Sequence, residues 1–498
     1  MSPTLITFAL YLGGMLLIGV VASRQTKNLD DYILGGRSLG PVVTALAAGA
    51  SDMSGWLLMG LPGALYAAGL IEGWIAIGLI LGAWANWRFV AAPLRAYTEQ
   101  ANNALTLPDY FAARFPERSR ALRVLAAVVI LVFFAIYSAS GIVAGARLFE
   151  SIFDMPYATA LWAGAAVTVL YTLLGGFLAV SWTDAVQATL MVLALIVTPV
   201  VVISVGGGID GSWATMAAAA PARVDAFGGL TLIGFISLMG WGLGYVGQPH
   251  ILARFMAASS VAAIKPARRI GMTWMIVCLF GAMACGFFGY AWLSAHPEAK
   301  AIVDANPERV FIVLAQQLFN PWIAGVLLSA ILAAIMSTLS CQLLVCASAL
   351  VEDFYKPFVR PKASAGELLW MGRAALLVVA LVAIALAMAP DSRVLKLVSY
   401  AWAGFGAAFG PVVVLSLYWR RMTGAGALAG MVTGAVTVLL WGHYQVWGLY
   451  EMVPGVLLAT SAIVLVSRLG DAHHTHALFD RVWASLSKPA GTARGSAG

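Results

Sequence analysis

The chain has 498 residues, of which 61% are hydrophobic and 10% charged, with a formal net charge of +7 and a mean hydropathy of +0.89. Soluble domains carry about 25% charged residues, so the composition excludes a soluble globular protein. The apolar runs are continuous and lack the period-2 alternation of a membrane β-barrel, which leaves an all-α polytopic membrane protein whose positive charge encodes loop topology, with nothing that points to nucleic acid.

In chain order, thirteen apolar segments approach the roughly 20 residues that a bilayer-crossing helix needs. They begin near Leu5, Pro41, Glu72, Leu125, Ala158, Thr183, Leu230, Met272, Pro321, Leu368, Val394, Gly424 and Val453. The first has no basic residue ahead of it and reads as a retained helix, not a cleaved leader. The second is interrupted by Ala48-Gly49-Ala50-Ser51-Asp52-Met53-Ser54-Gly55-Trp56. An acid inside a span marks a functional site by default, and the flanking glycines point to a helix that breaks, freeing carbonyls for a cation and N–H groups for an anion. A structural carboxylate bonded to nearby backbone is the competing reading of Asp52.

Residues 95–123 mix charges with an apolar stretch at 107–115, read either as an interfacial helix or as a solvated connector. The fourth span carries Tyr137, whose hydroxyl is available to a cavity. In the seventh span, Gly240-Trp241-Gly242-Leu243-Gly244-Tyr245-Val246-Gly247-Gln248-Pro249 forms a second glycine-rich interruption. There Trp241, Tyr245 and Pro249 fall at i, i+4 and i+8, one face of a continuous helix, either as a substrate wall or as packing. Residues 294–320 read as an exposed loop with a short helix. The ninth span offers the Ala334 carbonyl with the hydroxyls of Ser337 and Thr338, oxygen ligands suited to a hard cation; the alternative is self-bonding to their own helix. Gly426, Gly430 and Gly434 fit close helix packing. Cys278, Cys285, Cys341 and Cys346 read as buried small hydrophobes. His473, His474 and His476 in the tail allow a metal site, with a disordered, solvated end the competing reading.

The two interruptions lie five spans apart, and an odd spacing gives their units opposite orientations, as inverted repeats require. Most of the 29 Lys and Arg residues fall in alternate loops and the tail, which places the N-terminus outside and the C-terminus in the cytoplasm. The expected organisation is a leading helix and loop (1–40), a first five-helix repeat (41–207), an extracellular connector (208–229), a second repeat (230–421), two trailing helices (422–470) and a cytoplasmic tail (471–498). No phosphate-binding loop, zinc-hydrolase motif or nucleophile elbow is present, so neither an ATP-driven pump nor a membrane hydrolase has its parts. Transport remains, and no ring of charge or filter repeat favours a channel.

Four stretches carry a resemblance: residues 32–40 (Tyr32-Ile33-Leu34-Gly35-Gly36-Arg37-Ser38-Leu39-Gly40), 49–60, 175–184 and 332–342. With 240–255, they make the chain similar to the sodium/solute symporter family, and within it to the bacterial sodium/proline branch. The resemblance implies two inverted five-helix repeats with broken first helices, a neurotransmitter-transporter-like fold. It implies sodium as the coupling ion, bound by the carbonyls of Ala50, Met53 and Ala334 and the hydroxyls of Ser337 and Thr338. Asp52 and Ser51 would lie near the sodium or its coupling path. Ser54, Gly55, Trp56, Tyr137, Trp241, Tyr245 and Pro249 would surround the substrate, and Arg37 would take part in a cytoplasmic gate. The implied activity is sodium-coupled import of L-proline across a bacterial cytoplasmic membrane, with no obligatory protein partner. Sodium- or proton-coupled uptake of another small organic solute, or a transporter-like sensor, are the alternatives.

Overall fold

The structure, a computed structural model, describes residues 2–23, 34–174, 177–389, 392–470 and 476–487. Among these every regular element is helical, because a helix satisfies its own backbone groups where lipid offers none. Helix α1 (Pro3–Ser23) precedes two short helices in series, α2 (Pro41–Asp52) and α3 (Leu61–Ala68), separated by an irregular break and a π-helical turn. Helices α4 (Gly73–Ala85) and α5 (Ala91–Gln100) meet at a second π-helical turn, Asn86–Val90. Then come α6 (Leu107–Arg114), α7 (Ser119–Phe153), α8 (Tyr157–Leu174), α9 (Phe177–Val205) and α10 (Gly208–Ala219). A second interrupted pair, α11 (Leu232–Gly240) and α12 (Pro249–Ala257), is bridged by a 3-10 segment, Trp241–Gly247. The remainder comprises α13 (Val261–Ser294), α14 (Pro297–Ala305), α15 (Val310–Leu318), α16 (Pro321–Ser348), α17 (Ala365–Ala387), α18 (Val394–Tyr418), α19 (Gly424–Tyr444), α20 (Met452–Leu469) and α21 (His476–Ser487).

Ten helices among the described residues are long and apolar enough to cross a membrane. The expected thirteen is not reached: α2, α8 and the pair α11 and α12 fall outside the ten, being short or interrupted, while α3 belongs to the long apolar run 56–100. In the two interrupted pairs the break divides the apolar run into half-length helices.

Helix α2 is enclosed by α9, α13 and α16. Glycine allows such close approach: a Cβ on Gly49 would lie 2.6 Å from the Trp274 ring of α13, and one on Gly55, in the break after α2, would lie 2.8 Å from Ala144 Cβ of α7. Helix α16 is buried along nearly all of its length, whereas α1 and α17 present large exposed hydrophobics such as Leu10, Val378 and Leu381, as lipid-facing helices do.

Three expectations change. The 294–320 segment holds two short helices, and α15 is no exposed loop: its Val310, Phe311 and Ile312 are buried. An apolar stretch of this length cannot cross a membrane, so it packs into the protein instead. The helix at 107–114 does not lie free at an interface. Its Asp109 pairs with Arg123 at 2.5 Å, and Arg114 is buried with its Nε donating to the Ser416 carbonyl. In the tail, 476–487 form a docked helix. Trp483 donates to the Leu417 carbonyl at 2.9 Å, and Arg420 pairs with Asp480. His473 and His474 lie outside the described residues.

Candidate functional site

The site begins with one displaced hydrogen bond. Helix α2 ends where Met53 N–H donates to the Gly49 carbonyl, 2.9 Å. The next N–H, on Ser54, would reach the Ala50 carbonyl in a continuing helix, yet it donates to the Asp52 carbonyl at 3.0 Å. That leaves the Ala50 carbonyl free of its helical partner. Two hydroxyls from α16 take it up: Ser337 Oγ donates at 2.8 Å and Thr338 Oγ1 at 3.2 Å. Ser337 Oγ also lies 3.0 Å from the Ala334 carbonyl of its own helix.

Four of the five expected sodium oxygens are therefore linked by three hydrogen-bond contacts across two helices. Met53, the fifth, lies in the break with extended-leaning angles (φ −85°, ψ 79°). The donor set is all oxygen and uncharged, which suits a monovalent hard cation. The Ser337 hydroxyl has a ready alternative acceptor in the Ala334 carbonyl of its own helix, so its proton has somewhere to turn when a cation takes the Ala50 carbonyl.

The opposite side of the break is organised differently. Asp52 Oδ2 accepts from the Tyr245 hydroxyl at 2.5 Å, while Oδ1 is buried with no hydrogen-bond partner. Beside it is a cavity of about 20 Å³ lined by Asp52, Met53, Tyr245 and Asn86, among others. Asn86 donates through Nδ2 to the Tyr245 carbonyl at 2.9 Å, and its Oδ1 is likewise without a partner. Asp52 also gathers aromatics through its main chain. Its carbonyl accepts from Tyr137 OH at 3.2 Å and from Trp56 Nε1 at 3.3 Å, and Trp56 N–H reaches Ser54 Oγ at 3.4 Å. Thus Ser54, Trp56, Tyr137 and Tyr245 all meet at one residue. Ser51 does not join them, since its hydroxyl bonds the Ala48 carbonyl of its own turn at 3.2 Å.

Trp241, Tyr245 and Pro249 do not share a face. The segment that carries the first two is a 3-10 helix, with three residues per turn instead of 3.6, and Gln248 is extended (φ −83°, ψ 109°) before α12 begins. The three side chains consequently line three different cavities: Trp241 an open vestibule, Tyr245 the small cavity beside Asp52, and Pro249 a narrow space with Phe177 and Met256.

The two ends of the molecule differ. At one end the vestibule has a volume of about 1080 Å³ and runs from Glu72, Glu308 and Glu451 to Gly60 and Trp241. Glu308, in the turn before α15, accepts from Val394 and Leu395 N–H at 3.0 Å each, and burial keeps its carboxyl above the ordinary range. The other end is tied shut. Gly35, Gly36 and Arg37 all adopt positive φ (63°, 57° and 52°), a strained run for a non-glycine residue. It aims the Arg37 guanidinium at Asn103 Oδ1 (2.7 Å), Thr98 Oγ1 (3.2 Å) and the carbonyls of Met256 (2.5 Å) and Ala104 (2.9 Å). Arg95 adds a second tie, donating to the Ala258 carbonyl at 2.5 Å.

Residue patterns missed several members of this neighbourhood. Asn86 was a lone amide in an apolar run. Arg254 is fully buried, with Nη2 2.9 Å from Asp184 and Nη1 2.8 Å from Cys341 Sγ, so Cys341 is more than an apolar filler. Trp402 holds the second break by donating to the Trp241 carbonyl at 2.8 Å. The one available signal was Asp184, an acid inside an apolar span.

The family profile described as "Sodium:solute symporter family" matches residues 32–434. The chain is 65% identical over 471 residues to the sodium/proline symporter of Escherichia coli K12, covering 95% of this chain and 94% of that protein. It is 54% identical over 459 residues to the high-affinity proline transporter of Bacillus subtilis 168, covering 92% and 96%. A solved sodium-coupled sialic acid symporter, in a substrate-bound outward-open state, superposes with a TM-score of 0.80 at 17% identity over 94% of this chain and 98% of that one. The two share the transporter fold that the paired helix breaks suggested. The chain belongs to the sodium:solute symporter family, and is a multi-pass, sodium-coupled membrane transporter and not an enzyme.

Proposed function

We propose that the chain imports L-proline together with sodium by alternating access across a bacterial cytoplasmic membrane. The substrate assignment comes from relatives named as proline transporters and similar along nearly their whole length. The observation that carries the mechanism is the junction of the Ala50 carbonyl with Ser337 and Thr338. In this reading thirteen crossings place the N-terminus outside, the C-terminus in the cytoplasm, the vestibule on the outer face and the Arg37 tie on the inner. The proposed division is a leading helix (1–40), repeats at 41–207 and 230–421 joined by 208–229, trailing helices to 470, and a tail.

Sodium is bound by the carbonyls of Ala50, Met53 and Ala334 and the hydroxyls of Ser337 and Thr338. It thereby fixes the broken α2 against α16. Because Asp52 and Trp56 lie in the same break, fixing it also sets the aromatic surroundings of the substrate. Coupling is then a linkage free energy, proline binding mainly to the sodium-organised state. The membrane potential contributes about 2.3 kcal/mol per charge per 100 mV, enough to concentrate proline inside. Release requires the Arg37 and Arg95 ties to part, opening the inner ends of α5 and α12.

Labelled proline uptake into proteoliposomes, with an inward sodium gradient, with a pH gradient alone, and with neither, tests the reading. Uptake should require the sodium gradient and be blocked by excess unlabelled proline. Uptake driven by the pH gradient alone, or competition by other solutes but not proline, would overturn it.

A further inference from the structure

We infer that an anionic phospholipid binds in a basic cavity between the α4–α5 junction and the first turns of α13. The cavity has a volume of about 360 Å³ and three cationic side chains in its lining: Arg88, Lys265 and Arg268. Its apolar walls come from Trp87, Val261 and Ile264, and no carboxylate lines it.

These cations share one cavity without an acidic partner in it. Several other basic groups of the chain are matched: Arg37 and Arg95 by carbonyls, Arg123 by Asp109 and Asp353, Lys356 by Glu352, Arg360 by Glu367 and Arg420 by Asp480. Arg88 has only the face of Phe89, 5.3 Å away, and none of the three has a hydrogen bond or ion pair among the described residues. Three like charges gathered around one space repel one another. An anion placed among them relieves that repulsion.

The surroundings decide which anion. Leu81, Trp84 and Phe89 are large, exposed and adjacent to the cavity along the chain, and Trp84 meets Phe89 edge-on at 5.8 Å. Such an aromatic pair beside an apolar surface marks the boundary of hydrocarbon and water. A headgroup phosphate fits the cations while its acyl chains follow the exposed apolar flank of α4. A free phosphate would leave the apolar walls unused. Basic pockets between membrane helices are a known mode of headgroup recognition. Arg88 sits within the π-helical turn at Asn86–Val90 that joins α4 to α5.

The test uses the full chain in detergent, incubated with phosphatidylglycerol or phosphatidylcholine and examined by native mass spectrometry. Wild type should retain phosphatidylglycerol in preference to phosphatidylcholine. Each of Arg88→Gln, Lys265→Gln and Arg268→Gln should weaken that retention about fivefold, and Arg268→Lys should restore most of it. Size-exclusion elution confirms that the variants remain folded. Equal retention of both lipids, or undiminished retention in the triple Gln variant, would overturn the proposal. So would displacement of the lipid by inorganic phosphate at equal concentration, which would make the site one for a soluble anion.

Discussion

The two sides of the break in α2 solve opposite problems with the same backbone. Toward α16, the freed Ala50 carbonyl is met by two hydroxyls, so that oxygen is satisfied. Toward α4 and the 3-10 segment, Asp52 Oδ1 and Asn86 Oδ1 face a small cavity with no donor. A buried oxygen left without a donor costs about 1–3 kcal/mol, and more when charged. The difference teaches that one side is a neutral cradle whose parts hold each other in place, and the other carries stored electrostatic demand that a cation or a proton relieves.

The largest expected effect comes from removing that demand. Asp52→Asn should raise the sodium concentration for half-maximal uptake at least about 30-fold, the equivalent of about 2 kcal/mol of charge-assisted interaction. The proline concentration dependence should move far less. Because an amide at position 52 offers N–H donors beside Asn86 Oδ1, the same variant should unfold at no lower temperature than wild type. Lower thermal stability together with unchanged sodium activation would reverse the assignment of the two sides.

On the α16 side, Ser337→Ala and Thr338→Ala each remove one of two hydroxyls on a shared carbonyl. Each should raise the sodium requirement about fivefold, about 1 kcal/mol, with the double variant exceeding either. A change confined to proline affinity would show that this junction is not the ion site. Tyr245→Phe deletes the hydroxyl donor of Asp52 Oδ2 and leaves both carboxylate oxygens bare. It should destabilise the protein by about 1–3 kcal/mol in chemical denaturation, and a neutral result would mean that Asp52 is not held by this contact. The smallest effect belongs to Ser51→Ala, whose hydroxyl serves only its own turn. Uptake and stability should be close to wild type, within about 0.5 kcal/mol, and a strong sodium phenotype would return Ser51 to the coupling path.

The class of protein, its breaks and its coupling-ion candidates were legible in the residues alone. Continuous apolar runs dictate helices because lipid offers no other partner for backbone groups, and glycines around Asp52 mark where a helix fails. The hydroxyls at 337 and 338 were chemically apt, but only packing could show that they reach the Ala50 carbonyl and not merely their own helix. The aromatic stripe at 241, 245 and 249 was misread because periodicity presumes an unbroken α-helix, while a 3-10 segment and an extended Gln248 redistribute the three side chains.

Local pattern therefore determined that a membrane transporter with a broken helix was present, since hydropathy and glycine placement act within a few residues of chain. The tertiary structure decided who meets at the break. Ala50 and Ser337 are 287 residues apart in sequence, and Asp52 and Tyr245 are separated by 193, distances over which no local preference can specify a contact. The same holds for Arg254. It is a buried partner of Asp184, 70 residues away, and of Cys341, 87 residues away, because tertiary packing brings α12 against both.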